Sequence, residues 1–186
     1  TAPMDTVINY RNAKLFRDEN IITVLPRDTI QRNNFLSSIE IPFQFMSYSL
    51  SDFDETFLGS DELVIKTYVL IDIANGHMKA LYNSAKKAKE IHGDNLVLMV
   101  GNVATPATFA EYCKIGVDYI RIGIGNGGGC LTTVQTGVGY PIASLIEECH
   151  DVKKYLGFPN VKIVADGGFQ KYSDIIKGLA LGADYI

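Results

Sequence analysis

The sequence contains no tryptophan, only three cysteines and three histidines, and no CxxC pair. Cys113, Cys130 and Cys149 are too few and too scattered for a disulfide framework. The histidines do not cluster with them at the spacing of metal ligands. These absences exclude a small disulfide-stapled scaffold and the common zinc sites, and they predict a reducing, cytoplasmic location.

The sequence also lacks an excess of basic residues and any long apolar run. Its formal net charge is −4 and its isoelectric point is near 5.3, so the charge gives no reason to expect nucleic acid as a partner. No apolar run approaches the roughly 18 residues that a membrane span needs. The first five residues do not resemble a signal peptide. We therefore expect neither nucleic acid nor a membrane as a partner.

Short runs rich in valine and isoleucine alternate with longer amphipathic stretches. Continuous apolar runs of this length predict strands buried on both faces of a parallel sheet. The stretches between them predict helices: one follows a possible cap at Asn83, one is capped by Thr105 before Pro106, one spans residues 142–155, and one covers 173–180 and is closed by Gly182. The predicted strands are Ile21–Leu25, Ile41–Phe45, Thr67–Ile73, Leu96–Val100, Tyr119–Ile122 and Val161–Ala165.

About seven strand–helix units predict either a doubly wound sheet or a (β/α)8 barrel in one domain, residues 1–186. Two features favour the barrel: polar, glycine-rich segments follow nearly every strand, and the units are regularly spaced with no reversal. A full barrel typically needs about 250 residues. The sequence opens at what should be the end of a first strand, Ala2–Asp5, and stops in the apolar run Ala183–Ile186. We therefore expect the barrel to be incomplete at both ends, without its eighth helix.

The most informative segment is the loop that follows Tyr119–Ile122. Five of the eight residues from Gly123 to Cys130 are glycine, and Thr132 and Thr133 follow. Glycines let backbone N–H groups approach a phosphate, or let carbonyl groups converge on a cation. A thiol beside such a loop would have a lowered pKa and act as a nucleophile.

Glycine-rich loops also occur in flexible hairpins, in P-loops and in Rossmann dinucleotide sites. A flexible hairpin would tolerate many glycines. A P-loop is excluded because no Gly-Lys-Ser/Thr follows. A GxGxxG pattern can be traced from Gly123 to Gly128, but it follows a late strand and has no acidic residue at the expected distance, so a Rossmann site is discounted.

Five ordered motifs, all at predicted strand ends, resemble the IMP dehydrogenase and GMP reductase family. The resemblance covers essentially the whole sequence and implies a (β/α)8 barrel that acts on GMP or IMP, with NADPH or NAD as cofactor. The motifs are Ala2-Pro3-Met4-Asp5-Thr6-Val7, Asp72-Ile73-Ala74-Asn75-Gly76-His77, Gly101-Asn102-Val103, Gly123–Pro141 with its catalytic-loop spelling, and Ala165-Asp166-Gly167-Gly168.

The resemblance implies a role for each matching residue. Cys130 matches the cysteine that attacks C2 of the purine, and Thr132 matches a threonine that assists proton transfer. Substrate binding is implied for Met4, Gly128, Gly129, Asp166, Gly167 and Gly168, with the Asp166 carboxylate holding ribose hydroxyls. Cofactor binding is implied for Asp72, Ile73, Ala74, Asn102, Ile124 and Gly125. Backbone carbonyls of Gly125, Gly127 and Cys130 match those that hold a monovalent cation, usually potassium, and a homotetramer is implied.

Several of these residues could also serve ordinary structural roles. Asp72 could cap the next helix, and Asn102 and the Asp166-Gly167-Gly168 segment could be plain turns. Cys113, Cys149 and His150 are expected to be structural residues on helices. His77 is singled out because it lies on the rim that carries the other motifs.

Within the family, the sequence resembles GMP reductases more than IMP dehydrogenases. The residues of the segments Thr136–Pro141 and Asp72–Gly76 resemble those of reductases. There is also no room near Asp28–Phe35 for the regulatory module that many dehydrogenases contain. Two departures stand against a close match. Gly128 replaces the family's phosphate-contacting serine, and the basic residue that reductases carry near the position of Met46 is missing, which puts the NADP preference in doubt.

The expected reaction is therefore reductive deamination of GMP to IMP through a covalent Cys130 thioimidate. The alternative within the family is IMP dehydrogenase, which oxidises IMP to XMP with NAD and needs an Arg-Tyr flap not visible here. A second alternative is a flavin-dependent oxidoreductase barrel, which would use the glycine-rich loop for phosphate but would not need Cys130 two residues before Thr132.

Overall fold

A computed structural model describes residues 1–9, 11–27 and 44–186. Its six strands are all parallel and lie side by side in chain order, β1 to β6. A doubly wound sheet would reverse this order, whereas the wall of a (β/α)8 barrel keeps it. The prediction of a barrel over a doubly wound sheet is therefore confirmed. The strands are β1 (Thr23–Leu25), β2 (Gln44–Tyr48), β3 (Thr67–Asp72), β4 (Leu96–Val103), β5 (Tyr119–Ile122) and β6 (Lys162–Ala165).

Helices connect the strands along the outside of the curled sheet. The Thr105 hydroxyl accepts the Thr108 N–H at 3.3 Å and Pro106 opens the helix, which confirms this predicted cap. Within the described residues, no helix is long and apolar enough to cross a membrane. The helices are α1 (Ala13–Asp18), α2 (Leu50–Phe53, continued by a π-helical turn at Asp54–Leu58), α3 (Lys79–His92), α4 (Pro106–Lys114), α5 (Thr132–Thr136), α6 (Ile142–Leu156) and α7 (Tyr172–Ala180).

The sheet buries apolar side chains on both faces because successive residues of a strand point to opposite sides. On β4, Leu96, Leu98 and Val100 join the large core between sheet and helices, whereas Val97 and Met99 join a smaller cluster on the concave face. Tyr119 of β5 and Leu70 of β3 belong to the same concave cluster. The concave face is the barrel interior. The residues at the carboxyl end of each strand form the rim of this interior.

Three local predictions need correction, and one on the last helix is confirmed. Asn83 is not a cap, because α3 begins at Lys79 and Asn83 lies inside it. The second strand extends to Tyr48, beyond its predicted end at Phe45, and the predicted residues 41–43 lie outside the described residues, as does the segment 28–35. Residues 1–9 form no strand, although Thr1 hydrogen-bonds to Ile22 and Val24 beside β1. The last helix ends at Ala180 and is closed by Gly182, as predicted, because Gly182 has a φ of +112° and its N–H donates to the Leu179 carbonyl at 3.1 Å.

A short internal repeat occurs at the start of β5 and again after β6. The sequence Gly-Val-Asp-Tyr-Ile at 116–120 recurs as Gly-Ala-Asp-Tyr-Ile at 182–186. Asp118 accepts the Leu98 N–H at 2.8 Å and pairs with a lysine of α3, and Asp184 accepts the Ile163 N–H at 2.8 Å and pairs with a lysine of α6. Tyr185 also forms a parallel bridge with Val164, which places the final residues where a seventh strand begins.

Candidate active site at the carboxyl ends of the strands

The predicted site residues lie at the carboxyl ends of four neighbouring strands. Asp72 is the last residue of β3, and Asn102 lies one residue before the end of β4. The glycine-rich loop follows β5, and Asp166 follows β6. Since the strands are parallel, all four strand ends meet at one rim, which is where barrel enzymes carry their active sites.

The glycines of this rim allow two loops to pack backbone against backbone. A Cβ on Gly167 would lie 2.8 Å from the Gly127 nitrogen, and one on Gly123 would lie 2.5 Å from the Asp166 carbonyl oxygen. Gly123 and Gly167 also have φ values of +118° and +86°, which other residues rarely adopt. The Asp-Gly-Gly segment is therefore more than a plain turn, because it seats the loop that carries Cys130.

Cys130 has the features of a reactive thiol. Its Sγ lies 3.3 Å from the Thr132 hydroxyl, and the Cys130 N–H donates to the Gly127 carbonyl at 3.0 Å. Hydrogen bonds from the Thr132 side chain and backbone, and from the Gly125 backbone, lower the pKa of the thiol despite the nearby Asp166 carboxylate. The loop therefore makes the Cys130 thiol easier to deprotonate to the thiolate, which is the nucleophilic form.

The other two cysteines are buried, and the pKa values of their thiols are raised. Burial raises the pKa of Cys113 to about 11 and that of Cys149 to about 12. Both side chains belong to the core between the sheet and the helices. His150 packs over Gly182, where any Cβ would overlap its ring. The structural roles predicted for these three residues agree with their burial and packing.

A network of charged groups crosses the rim beside the cysteine loop. Asp166 Oδ2 accepts the Asn102 side-chain amide and the Arg121 guanidinium, each at 2.8 Å. The other end of the same guanidinium donates to Asp72 Oδ1 at 2.8 Å, and the Asn102 amide also donates to the Gly123 carbonyl. Asp72 therefore does not cap a helix, and Asn102 is not only a turn residue.

Arg121 was not among the residues predicted from the sequence. A single basic residue inside the strand Tyr119–Ile122 was the available signal, because an arginine pointing into a barrel must find buried or rim partners.

The remaining predicted residues differ in exposure. Ile124 is buried, Ile73 is half-buried and Ala74 is exposed. Gly129 has open space around its missing Cβ, whereas a Cβ on Gly128 would meet the Gln170 side-chain amide at 3.3 Å. Met4 lies in an N-terminal turn and is more than half exposed.

His77 links two rim loops. Its Nε2 accepts the Ala104 N–H at 3.0 Å, so the neutral ring carries its proton on Nδ1 and donates to the Thr108 hydroxyl at 2.8 Å. Desolvation lowers the pKa of His77, only partly opposed by Glu111. The neutral ring therefore joins the loop after β3 to the start of α4.

The fold and the rim define a (β/α) barrel domain with a cysteine in the glycine-rich loop at the carboxyl ends of its strands. The profile of the "IMP dehydrogenase / GMP reductase domain" matches residues 62–186. The chain therefore belongs to the IMP dehydrogenase and GMP reductase family.

Individual relatives carry both names of the family. The chain is 33% identical over 193 residues to a GMP reductase of Shewanella pealeana, and 35% identical over 195 residues to a GMP reductase of Buchnera aphidicola. Each match covers the whole chain and 54% of the relative, so the chain spans about half their length. A crystal structure of inosine 5′-monophosphate dehydrogenase from Legionella pneumophila is also similar, with a TM-score of 0.78, 30% identity, and coverage of 100% of this chain and 55% of that one.

Proposed function

We propose that Cys130 is the catalytic nucleophile of an oxidoreductase that reductively deaminates GMP to IMP with NADPH. The observation that carries this proposal is the Cys130 thiol itself, which has a lowered pKa, lies 3.3 Å from the Thr132 hydroxyl and sits on a loop packed against Asp166. The GMP reductase relatives support the direction of the reaction, because they match the whole chain.

The covalent steps follow from a thiolate and a purine with an amino group at C2. The Cys130 thiolate forms a bond to C2, and the bond from C2 to the exocyclic nitrogen breaks, so that ammonia leaves after gaining a proton. Thr132 assists this proton transfer together with a carboxylate from outside residues 1–186. C2 then accepts a hydride, the bond between C2 and sulfur breaks, and IMP leaves while the thiolate is regenerated.

Substrate binding is proposed for Asp166, whose carboxylate accepts ribose hydroxyls, and for the glycines around it. Asp166 Oδ1 has no hydrogen bond to the described residues, so it is free to accept such a bond. Gly128, Gly129, Gly167 and Gly168 offer backbone N–H groups to the phosphate, since glycine lets the backbone come close to an anion. Met4 is proposed to cover the base.

The cofactor side is proposed to lie around Asp72. The exposed residues Ala74 and Asn75, next to the partly exposed Asp72 carboxylate, fit a nucleotide that carries ribose hydroxyls. Bound NADPH supplies the hydride. Asp72, Ile73, Ala74 and Asn102 would hold the nicotinamide side, and Ile124 and Gly125 would border it through their backbone.

A monovalent cation, potassium, is proposed at the carbonyl groups of Gly125, Gly127 and Cys130. The Gly127 carbonyl already accepts the Cys130 N–H and keeps one lone pair for a cation. Carbonyl oxygens are ligands that potassium accepts in place of water. We also propose a homotetramer and a cytoplasmic location, as in the family that the chain resembles.

IMP dehydrogenase is the second candidate function, favoured by the structural similarity to the Legionella pneumophila enzyme. In that direction the thiolate adds to C2 of IMP, a hydride leaves C2 to NAD, and water releases XMP from the thioimidate. The same cysteine serves both reactions, so the assay must offer both pairs of substrates.

The test compares GMP plus NADPH with IMP plus NAD, in the protein expressed from its complete gene, by following the absorbance of reduced nicotinamide. We expect NADPH oxidation with GMP, and a Cys130→Ala variant should lose about 10³-fold or more of it. The control Cys113→Ala removes a buried thiol and should keep its activity.

Each other outcome has a definite meaning. Activity only with IMP plus NAD would establish the dehydrogenase direction. Undiminished turnover by Cys130→Ala would contradict the cysteine mechanism. A bound flavin without turnover of either purine would favour the flavin-dependent alternative.

A further inference from the structure

Arg121 occupies the centre of the rim and contacts two carboxylates at once. Its Nη1 donates to Asp72 Oδ1 and its Nη2 donates to Asp166 Oδ2, both at 2.8 Å. The Arg121 side chain is 13% exposed, so this guanidinium is largely removed from water. A planar guanidinium presents its donors in a fixed fork, which allows two carboxylates to be held in one geometry.

The sheet register explains how one arginine reaches across two strands. Asp72 of β3 is paired with Gly101 of β4, and Gly101 is paired with Arg121 of β5. A Cβ on Gly101 would lie 2.6 Å from the Arg121 Cβ, so a side chain there is incompatible with the position of Arg121. Glycine at this position leaves the space through which Arg121 passes over β4 to reach Asp72.

The two carboxylates differ in which of their oxygen atoms have a partner. Asp166 Oδ2 is occupied by Arg121 and Asn102, whereas its Oδ1 has no partner among the described residues. Asp72 Oδ2 lies 3.6 Å from the Arg27 guanidinium, whose side chain is about half exposed. Arg121 is therefore the buried cation that the two carboxylates share, and a change at one of them alters the charge available to the other.

We propose that Arg121 is a positioning residue that couples the nucleotide side of the site to the cofactor side. It fixes Asp166 with one oxygen held and the other directed to the ribose, and it transmits to Asp166 any change in the pairing of Asp72. This inference rests on the proposed function, in which Asp166 binds the purine nucleotide and Asp72 lies on the cofactor side.

The test is a double-mutant cycle on nucleotide binding, measured by calorimetry with GMP and with IMP in the absence of pyridine nucleotide. Asp72→Asn removes the negative charge at one end of Arg121, so that the guanidinium pairs more strongly with Asp166 and competes with the ribose. We expect Asp72→Asn to weaken nucleotide binding about threefold or more in the native background. In an Arg121→Gln background the same change should have no measurable effect.

Arg121→Lys provides a variant that keeps the charge if the glutamine variant does not fold. An ammonium is a compact point charge and cannot donate to both carboxylates in the same fixed fork, so the coupling should again be lost. Coupling retained by Arg121→Lys would overturn the proposal, because charge alone would then be sufficient.

The matched control is the Lys153–Asp184 pair. Its side chains are 12% and 22% exposed and 2.8 Å apart, close to the values of the Arg121–Asp72 pair, but it lies at the opposite end of the strands. Asp184→Asn should leave nucleotide affinity unchanged. An equal effect of Asp72→Asn with and without Arg121 would refute the coupling alone, whereas a native protein that binds neither GMP nor IMP would refute the proposed function as well.

Discussion

Replacement of Gly125 by alanine should damage the site more than it damages the fold. Gly125 has a φ of +81°, and a Cβ there would overlap the Thr133 hydroxyl and lie 2.9 Å from the Thr133 Cβ. The Thr133 side chain would therefore have to move. Its hydroxyl would then lose the hydrogen bond that it donates to the Val138 carbonyl at 2.8 Å. The backbone N–H of Gly125 is also one of the groups that stabilise the Cys130 thiolate.

The magnitude has two parts. An L-residue in the left-handed region costs about 1–2 kcal/mol, and loss of the Thr133–Val138 hydrogen bond adds about 0.5–1.5 kcal/mol. We therefore expect Gly125→Ala to lower the free energy of unfolding by about 1.5–3.5 kcal/mol. Turnover should fall about tenfold or more, because a hydrogen bond to a charged sulfur is displaced.

Urea unfolding followed by circular dichroism, together with turnover of GMP, measures both effects. Gly157→Ala is the matched control, because Gly157 has a φ of +74° at the end of α6 and open space around its missing Cβ. It should lose only the left-handed strain of about 1–2 kcal/mol and keep full turnover. Equal losses of stability and of activity in the two variants would refute the argument that Gly125 is required for close packing against Thr133.

Two further predictions follow from the shifted pKa values at the rim. The rate of Cys130 alkylation by iodoacetamide should reach half its maximum at a pH below the pKa of an ordinary thiol, which is about 8.5. Thr132→Val should move this midpoint upward. An unchanged midpoint would contradict the role of the Thr132 hydroxyl. For His77 the folded-state pKa is lowered, so the unfolded chain binds more protons and stability falls as the pH drops below about 6.5. A His77→Gln variant should lose this part of the pH dependence in unfolding experiments between pH 5 and 8, and an identical pH profile would exclude the contribution of His77.

The sequence predicted those features that depend on neighbouring residues. Apolar runs located the strands, and Thr105 with Pro106 located the start of α4, because a cap acts within one turn of the helix. The helix cap predicted at Asn83 was wrong. Asparagine is common at caps, but the apolar face that α3 buries begins near Leu81, so packing extends the helix back to Lys79.

The charged network could not be predicted, because it depends on register between strands far apart in the sequence. Asp72, Gly101 and Arg121 are separated by about 20 to 30 residues in turn, and only the parallel pairing of β3, β4 and β5 places them in one row. The resemblance to a family implied site roles for Asp72 and Asp166 but did not point to the arginine between them. The glycine at 101 is explained only once the row is known.

The most direct test of the central claim is to trap the bond between Cys130 and the purine. The protein is mixed with GMP and NADPH, quenched in acid during turnover, and digested for mass spectrometry. We predict a purine nucleotide adduct on the peptide that contains Cys130. The peptides of Cys113 and Cys149 should carry no adduct, and neither should any peptide of the Cys130→Ala variant. Continued turnover with Cys130 unmodified at every quench time, or an adduct on another residue, would contradict the assignment of Cys130 as the nucleophile.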